Sequence, residues 1–303
     1  MAKVIVRMKG GLGNQIFCYA AARRLALVNN AELVIDDVTG FIRDLKFKRV
    51  YALEHFNIPA RMATPAERLE PFERYRRGIA KYIARQRPFQ IRRYIEQEMT
   101  EFDARLLELR FSGTVYIDGL WQSEGYFKDY ESVIRRDLLI TPPQDASNLA
   151  MKQRIASINA ICIHVRWFHK VIGGAARAEH NLAGRYYARA VEKIVGMVAS
   201  PHFIVFSDDP GAAIEMLALP ASMSTGVFCN QGRQDQYADL WLMTHCRHFI
   251  IANSTFSWWG AWLAGSRQKI VIAPHINVTG IGAWGFDGLI PDSWIQIPAG
   301  QRF

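Results

Sequence analysis

Residues 3–37 place the strongest constraint on how this chain can fold. They run as a short apolar segment, a glycine turn, a long apolar stretch and a second short apolar segment. "KVIVRM" has the length and β-branched content of a buried strand, and "KGGLGNQ" reads as a turn. "IFCYAAARRLALVNN" puts Phe17, Ala21, Leu25 and Val28 on one helical face, and "AELVIDD" is a second strand. Two strands joined through a helix lie parallel, and a parallel sheet needs cover on both faces. The fold class expected is therefore α/β.

The alternation resumes after "TPPQD", from Thr141 to Asp145, whose two prolines read as a linker. "AICIHV", "HFIVFSDDP", "RHFIIANST" and "KIVIAP" are strands, with "AGRYYARAVEKIVGMV", "DQYADLWLMTHC" and "SWWGAWLAG" as helices between or after them. Residues 65–110 read as mostly helical and charged, and "TVYIDGLWQSEGYF" returns to strand and loop. At about 150 residues per domain, 303 residues make two domains. The expectation is an N-terminal Rossmann-like domain, residues 1–145, and a C-terminal one, residues 146–303, facing each other across a cleft.

Met1-Ala2-Lys3 leads directly into a short apolar run, so no signal peptide is expected. No apolar run reaches the ~18 residues of a membrane span. Cys18, Cys162, Cys229 and Cys246 are far apart and form no CxxC, which fits reduced, mostly buried thiols in a cytoplasmic protein. The net charge is +9, and the stretch from Arg74 to Arg93 carries eight Lys/Arg and no Asp/Glu. A solvated helical face, contact with an anionic membrane and nucleic-acid binding all suit such a run. Nucleic acid ranks last, because no nucleic-acid motif accompanies the patch.

In open α/β sheets ligands sit beyond the C-terminal strand ends, so the residues just after each strand are the candidate site. The first set is Gly11, Gly13, Asn14 and Gln15. Its glycines permit close backbone approach, and the following helix N-terminus favours an anion. With Asp36 it resembles part of a dinucleotide fingerprint, but Ile16 stands where the third glycine belongs. The second set is His164 and Arg166, which as i and i+2 project together. An arginine at a buried strand end needs an anionic partner, a phosphate or an internal acid. The third is Asp208 and Asp209, which can bind a ligand or cap the helix before Pro210. The fourth is Asn253, Ser254, Thr255 and Phe256, where hydroxyls and helix-start N–H groups form a phosphate cradle without metal. Trp258, Trp259 and Trp262 share one broad helix face and read as core.

The motifs "GGLGNQIFCYAAARRLA", "GLWQSEGYF", "HVR", "FSDD", "DLWLMTHCRHFIIANSTFSWWGAWLA" and "DGLIPDSWIQI" occur in this order. Together they resemble bacterial α-1,2-fucosyltransferases, glycosyltransferase family 11, over nearly the whole chain. The resemblance implies a GT-B architecture, GDP-L-fucose as donor, inversion, and no metal or cofactor. By position Arg166 would hold the donor diphosphate, and His164 would lie near the nucleotide. Asp208 or Asp209 would meet guanine or ribose, and Asn253–Phe256 would meet phosphate. The loop Gly11–Gln15 would face the donor. The family's H-x-R-R-x-D departs here to Trp167-Phe168-His169. The catalytic base is open among His169, Glu179, His180 and Asp37. Trp121, Gln122 and Tyr126 suit the acceptor side, with core packing as the other reading for Trp121. The implied acceptor is an oligosaccharide or lipid-linked saccharide, with peripheral contact to the inner membrane face through Arg74–Arg93. A GT-B enzyme with another sugar nucleotide, a nicotinamide oxidoreductase and a non-catalytic sugar-nucleotide-binding relative stay open.

Overall fold

The computed structural model describes residues 1–167, 182–219, 225–228, 235–276 and 284–300. The chain divides into two compact units. One is Met1–Leu139 with Phe286–Leu289, and the other is Ile140–Gly285 with Ile290–Phe303. The short return segment Phe286–Leu289 belongs with the first unit, beyond the single boundary expected after residue 145.

The first unit runs β1 (Lys3–Arg7), α1 (Leu12–Val28), β2 (Glu32–Asp36), β3 (Arg61–Met62), α2 (Glu73–Arg85), β4 (Tyr94–Glu96), α3 (Arg105–Glu108), β5 (Thr114–Asp118) and α4 (Glu131–Asp137). Its sheet has the order β3-β2-β1-β5-β4, with parallel pairing throughout. Strand order reverses between β1 and β5, so the switch-point crevice opens beyond Arg7 and Asp118. The helix α1 is buried almost all round rather than on one face. Its far side is closed by polar anchors. Tyr19 donates to Asp137 at 2.9 Å, Arg23 donates to the same carboxylate at 2.8 Å, and Arg24 pairs with Asp129 at 2.7 Å. Residues 65–110 are less helical than expected. Tyr94–Glu96 pairs with β5 as an edge strand, and Pro88 lies two residues past the Gln86 C-cap of α2.

The second unit runs α5 (Ala146–Ser157), β6 (Ala160–Val165), α6 (Gly184–Val195), β7 (His202–Ser207), α7 (Pro210–Leu217), β8 (Thr225–Phe228), α8 (Gln236–Met243), β9 (His248–Ile250), α9 (Thr255–Leu263), β10 (Val271–His275) and β11 (Ile295–Pro298). Its parallel sheet has the order β11-β10-β9-β6-β7-β8. Every residue of β6 is buried, as a central strand covered on both faces requires. Asp145, expected in the linker, caps α5 by accepting from the Asn148 N–H at 2.9 Å. Trp258, Trp259 and Trp262 are core. The Trp258 ring lies 6.2 Å from Trp262 and 5.4 Å from Trp294.

Candidate active site

Strand order in the second unit reverses between β6 and β9, which places the candidate site where β6 gives way to Arg166 and β9 to Asn253–Phe256. A ring contact ties the two ends together: His164 and Phe256 lie 5.6 Å apart. The helix α9 starts at Thr255 with no acidic residue in its first turn, so the positive end of its dipole keeps its pull on an anion. Ser254 is its N-cap, its hydroxyl oxygen accepting from the Phe256 N–H at 3.3 Å. The sequence reading gave Ser254 to phosphate; here its oxygen first satisfies the helix, and its O–H is the group left for a ligand.

Arg166 has an internal partner. Its Nη1 lies 2.9 Å from Asp208 Oδ2, while Asp208 Oδ1 accepts from the Trp167 N–H at 3.0 Å. Register explains the pairing: Val165 stands opposite Ser207, so the next residue of each strand meets the other. Asp208 is thereby a clamp on the β6 exit. Asp209 takes the capping role. It accepts from the Ala212 N–H at 3.2 Å, with Pro210 in the first turn of α7. That carboxylate is committed to its own helix, so a base or ribose contact through it must compete with the cap.

His164 is 5% exposed, and its backbone carbonyl accepts from the buried Tyr187 hydroxyl at 3.1 Å. Its Nδ1 is buried with no hydrogen-bond partner among the described residues. Burial, and secondarily the Arg166 charge, push its pKa down to about 3. The ring is therefore neutral at physiological pH and can act as a hydrogen-bonding group, not as a cation.

At the first unit's switch point, Gly10 takes φ +78 and Gly11 caps α1. Among the described residues a Cβ added at Gly11 meets nothing within 4 Å, so none of them crowds this backbone. Gly13 is buried within the first turn of α1. Gln15 was expected at the donor, but the structure gives it another task. It is 1% exposed, donates to the carbonyls of Gly10 (3.0 Å) and Val50 (2.9 Å), and accepts from the Ala52 N–H (3.0 Å). With its amide so engaged, it braces the glycine loop from behind. Asn14 accepts from Gln122 at 2.8 Å, and Cys18 donates to the Gly119 carbonyl at 3.1 Å. These two bonds join "GGLGNQIFCYAAARRLA" to "GLWQSEGYF".

Trp121 and Tyr126 are each 1% exposed and meet edge to face at 5.5 Å, with Phe102 4.8 Å from Tyr126. Their rings have no free face for a sugar, so the structure gives them packing roles and leaves Gln122 as the half-exposed member of that trio. Asp36 accepts from the N–H and hydroxyl of Thr39, which closes the loop after β2 and occupies the carboxylate a ribose would need. Asp37 is half-buried, and its Oδ1 has no hydrogen-bond partner among the described residues. His169, Glu179 and His180, the other candidate bases, lie outside the described residues.

Sequence reasoning did not single out the charge cluster at the β1 and β5 ends. Asp118 is buried and meets Lys9 at 2.9 Å, Lys81 at 3.0 Å, Arg7 at 3.3 Å and the Tyr94 hydroxyl at 2.9 Å. Burial alone would raise its pKa, yet Lys9, Arg7 and Lys81 together hold it well below the usual carboxylate range. The signal was present: Arg7 and Asp118 are charged residues closing apolar strands.

A profile described as Glycosyl transferase family 11 matches residues 3–279. Alpha-1,2-colitosyltransferase of Escherichia coli is 29% identical over 302 residues, covering 98% of this chain and 99% of that protein. The O-antigen biosynthesis glycosyltransferase WbnK of Escherichia coli is 29% identical over 311 residues, covering 96% and 99%. Among solved structures, fucosyltransferase NodZ from Bradyrhizobium superposes with a TM-score of 0.51 at 17% identity, covering 86% of this chain and 93% of that one. A mutant of Arabidopsis thaliana FUT1 in complex with GDP gives 0.51 at 15% identity, covering 89% and 69%. At such identity the likeness concerns the fold alone, and it agrees with the α/β, GT-B type class read from the sequence. The family match spans both switch-point sites, and the chain belongs to glycosyl transferase family 11.

Proposed function

We propose that this glycosyltransferase moves L-fucose from GDP-β-L-fucose to a sugar hydroxyl, with inversion, forming an α-1,2 linkage in a surface polysaccharide of the O-antigen type. The observation that carries the reading is the convergence of Arg166 and the α9 N-terminus at the switch point of the second unit. The acceptor oxygen attacks the anomeric carbon opposite GDP. The new C–O bond forms as the bond to the β-phosphate oxygen breaks, and that electron pair leaves on the diphosphate. Arg166 and the first-turn N–H groups of α9 face the growing charge. Asp208 holds Arg166 in place, and the neutral His164 lines the nucleotide side. The hydroxyl proton passes to a base, for which His169, Glu179, His180 and Asp37 are the candidates.

The similarity to alpha-1,2-colitosyltransferase supports the 1,2 linkage and suggests a second donor, GDP-colitose, whose sugar is fucose lacking one hydroxyl. Turnover with GDP-fucose, GDP-colitose and GDP-mannose against a panel of β-galactosides, followed by linkage analysis, decides. Transfer of fucose to a galactose 2-hydroxyl is expected. Faster transfer of colitose selects the second donor, and transfer of neither deoxy sugar overturns both.

A further inference from the structure

The helix α2 (Glu73–Arg85) sits inside out on the first unit. Its inward contacts are ionic: Lys81 reaches Asp118 at 3.0 Å and also pairs with Glu96, Arg85 pairs with Glu96 at 2.8 Å, and Arg77 donates to Thr39 at 2.7 Å. Its outward side is apolar. Tyr75, Ile79, Tyr82 and Ile83 recur at i, i+4, i+7 and i+8, one helical face, and Phe72 precedes them at the N-cap. Phe72, Tyr75 and Tyr82 are 76%, 72% and 68% exposed. A surface helix ordinarily turns such a stripe toward the core. Here ion pairs occupy the core side, and the stripe faces solvent.

Exposed arginines flank the stripe, Arg76 on one side and Arg74 and Arg85 on the other. Glu73 opens the helix as its one acid, and none follows through Arg93. An apolar centre bracketed by cations matches the layering of acyl chains beneath anionic headgroups. A second copy of this helix would instead bring like charges face to face, which disfavours self-association through it.

We propose that α2 seats the protein on an anionic lipid surface. Phe72, Tyr75, Ile79 and Tyr82 enter the headgroup–acyl boundary, and Arg74 and Arg76 meet lipid phosphates. This reading is independent of the donor assignment. The test is flotation of the full-length chain with vesicles of equal parts phosphatidylcholine and phosphatidylglycerol, against phosphatidylcholine alone. Binding to the anionic vesicles only, weakened by salt, is expected. The variant Phe72→Ser/Tyr75→Ser/Ile79→Ser/Tyr82→Ser and the variant Arg74→Gln/Arg76→Gln should each lose about tenfold or more in vesicle partitioning. Both change exposed side chains, so thermal unfolding should match wild type and exclude misfolding as the cause. Equal binding to neutral vesicles, or wild-type binding by the apolar variant, overturns the proposal. A wild-type dimer that the apolar variant dissociates, without vesicle binding, assigns the stripe to a second copy and equally overturns it.

Discussion

Replacing Arg166 by alanine separates a structural role from a catalytic one. The guanidinium lies 2.9 Å from Asp208, with 34% and 25% of the two side chains still exposed. A pair this wet contributes only about 0.2–1 kcal/mol to stability. For domains near this size, that lowers Tm by roughly 0.4–4 °C. An arginine facing charge on a departing diphosphate contributes far more to the barrier, about 3–4 kcal/mol or roughly 10²–10³ in kcat. The expected Arg166→Ala enzyme is therefore folded, slightly less stable and at least ~10²-fold slower. GDP release from GDP-fucose at saturating acceptor, measured beside thermal unfolding, reads both quantities. A folded variant within about threefold of wild-type turnover refutes the assignment. Asp208→Asn keeps an oxygen for the Trp167 N–H but removes the arginine's charge partner, and about a 3–10-fold loss is expected. If Asp208 works through Arg166, the double variant turns over no more slowly than Arg166→Ala alone. An additive loss shows that Asp208 meets the substrate itself.

Three further outcomes follow from the same geometry. His164, with its folded pKa near 3 against 6.5 unperturbed, leaves the unfolded chain binding the extra proton between those values. Stability should thus fall as pH drops through that window, and His164→Gln should flatten the slope in urea titrations by up to about 1.4 kcal/mol per pH unit. Asp118→Asn leaves Arg7, Lys9 and Lys81 without their shared acid. The expected loss is roughly 2–4 kcal/mol by denaturant unfolding, below the full buried-pair value because the cations keep some solvent. Gly11→Ala fits the backbone, whose φ −75 and ψ 176 suit any residue. Unfolded-chain entropy favours the alanine by about 0.4–1 kcal/mol while its poorer N-cap preference opposes it, so stability should stay within about 1 kcal/mol of wild type, with the KM for the donor raised if the donor approaches that backbone.

The α/β class was legible because it follows from order along the chain, apolar runs alternating with helices, and the same order shows which polar residues stand where each run stops. What was not legible depends on register and facing. The Arg166–Asp208 pair exists because Val165 aligns with Ser207, a cross-strand fact with no local signature. Gln15 carries the same amide whether it meets a ligand or three backbone groups of its own loop. Trp121 and Tyr126 have the composition of a sugar platform and the burial of a core. The run from Arg74 to Arg93 read as a basic stretch, but the outward facing of the α2 apolar stripe is set by where Asp118 and Glu96 sit to receive Lys81 and Arg85.

The return of Phe286–Leu289 to the first unit bears on any attempt to make the two units apart. Leu289 is fully buried, and Gly288 takes φ +86 where an added Cβ would lie 3.0 Å from the Phe102 side chain and 3.4 Å from Ser123. A clone ending at residue 139 lacks this plug and leaves its seat open to water. A clone starting at 140 carries the plug without its seat. Neither half holds both this peptide and the seat it fills, and exchanging halves at one junction will mismatch it. The exchange needs a second junction on either side of residues 286–289, so that the plug travels with the unit it closes.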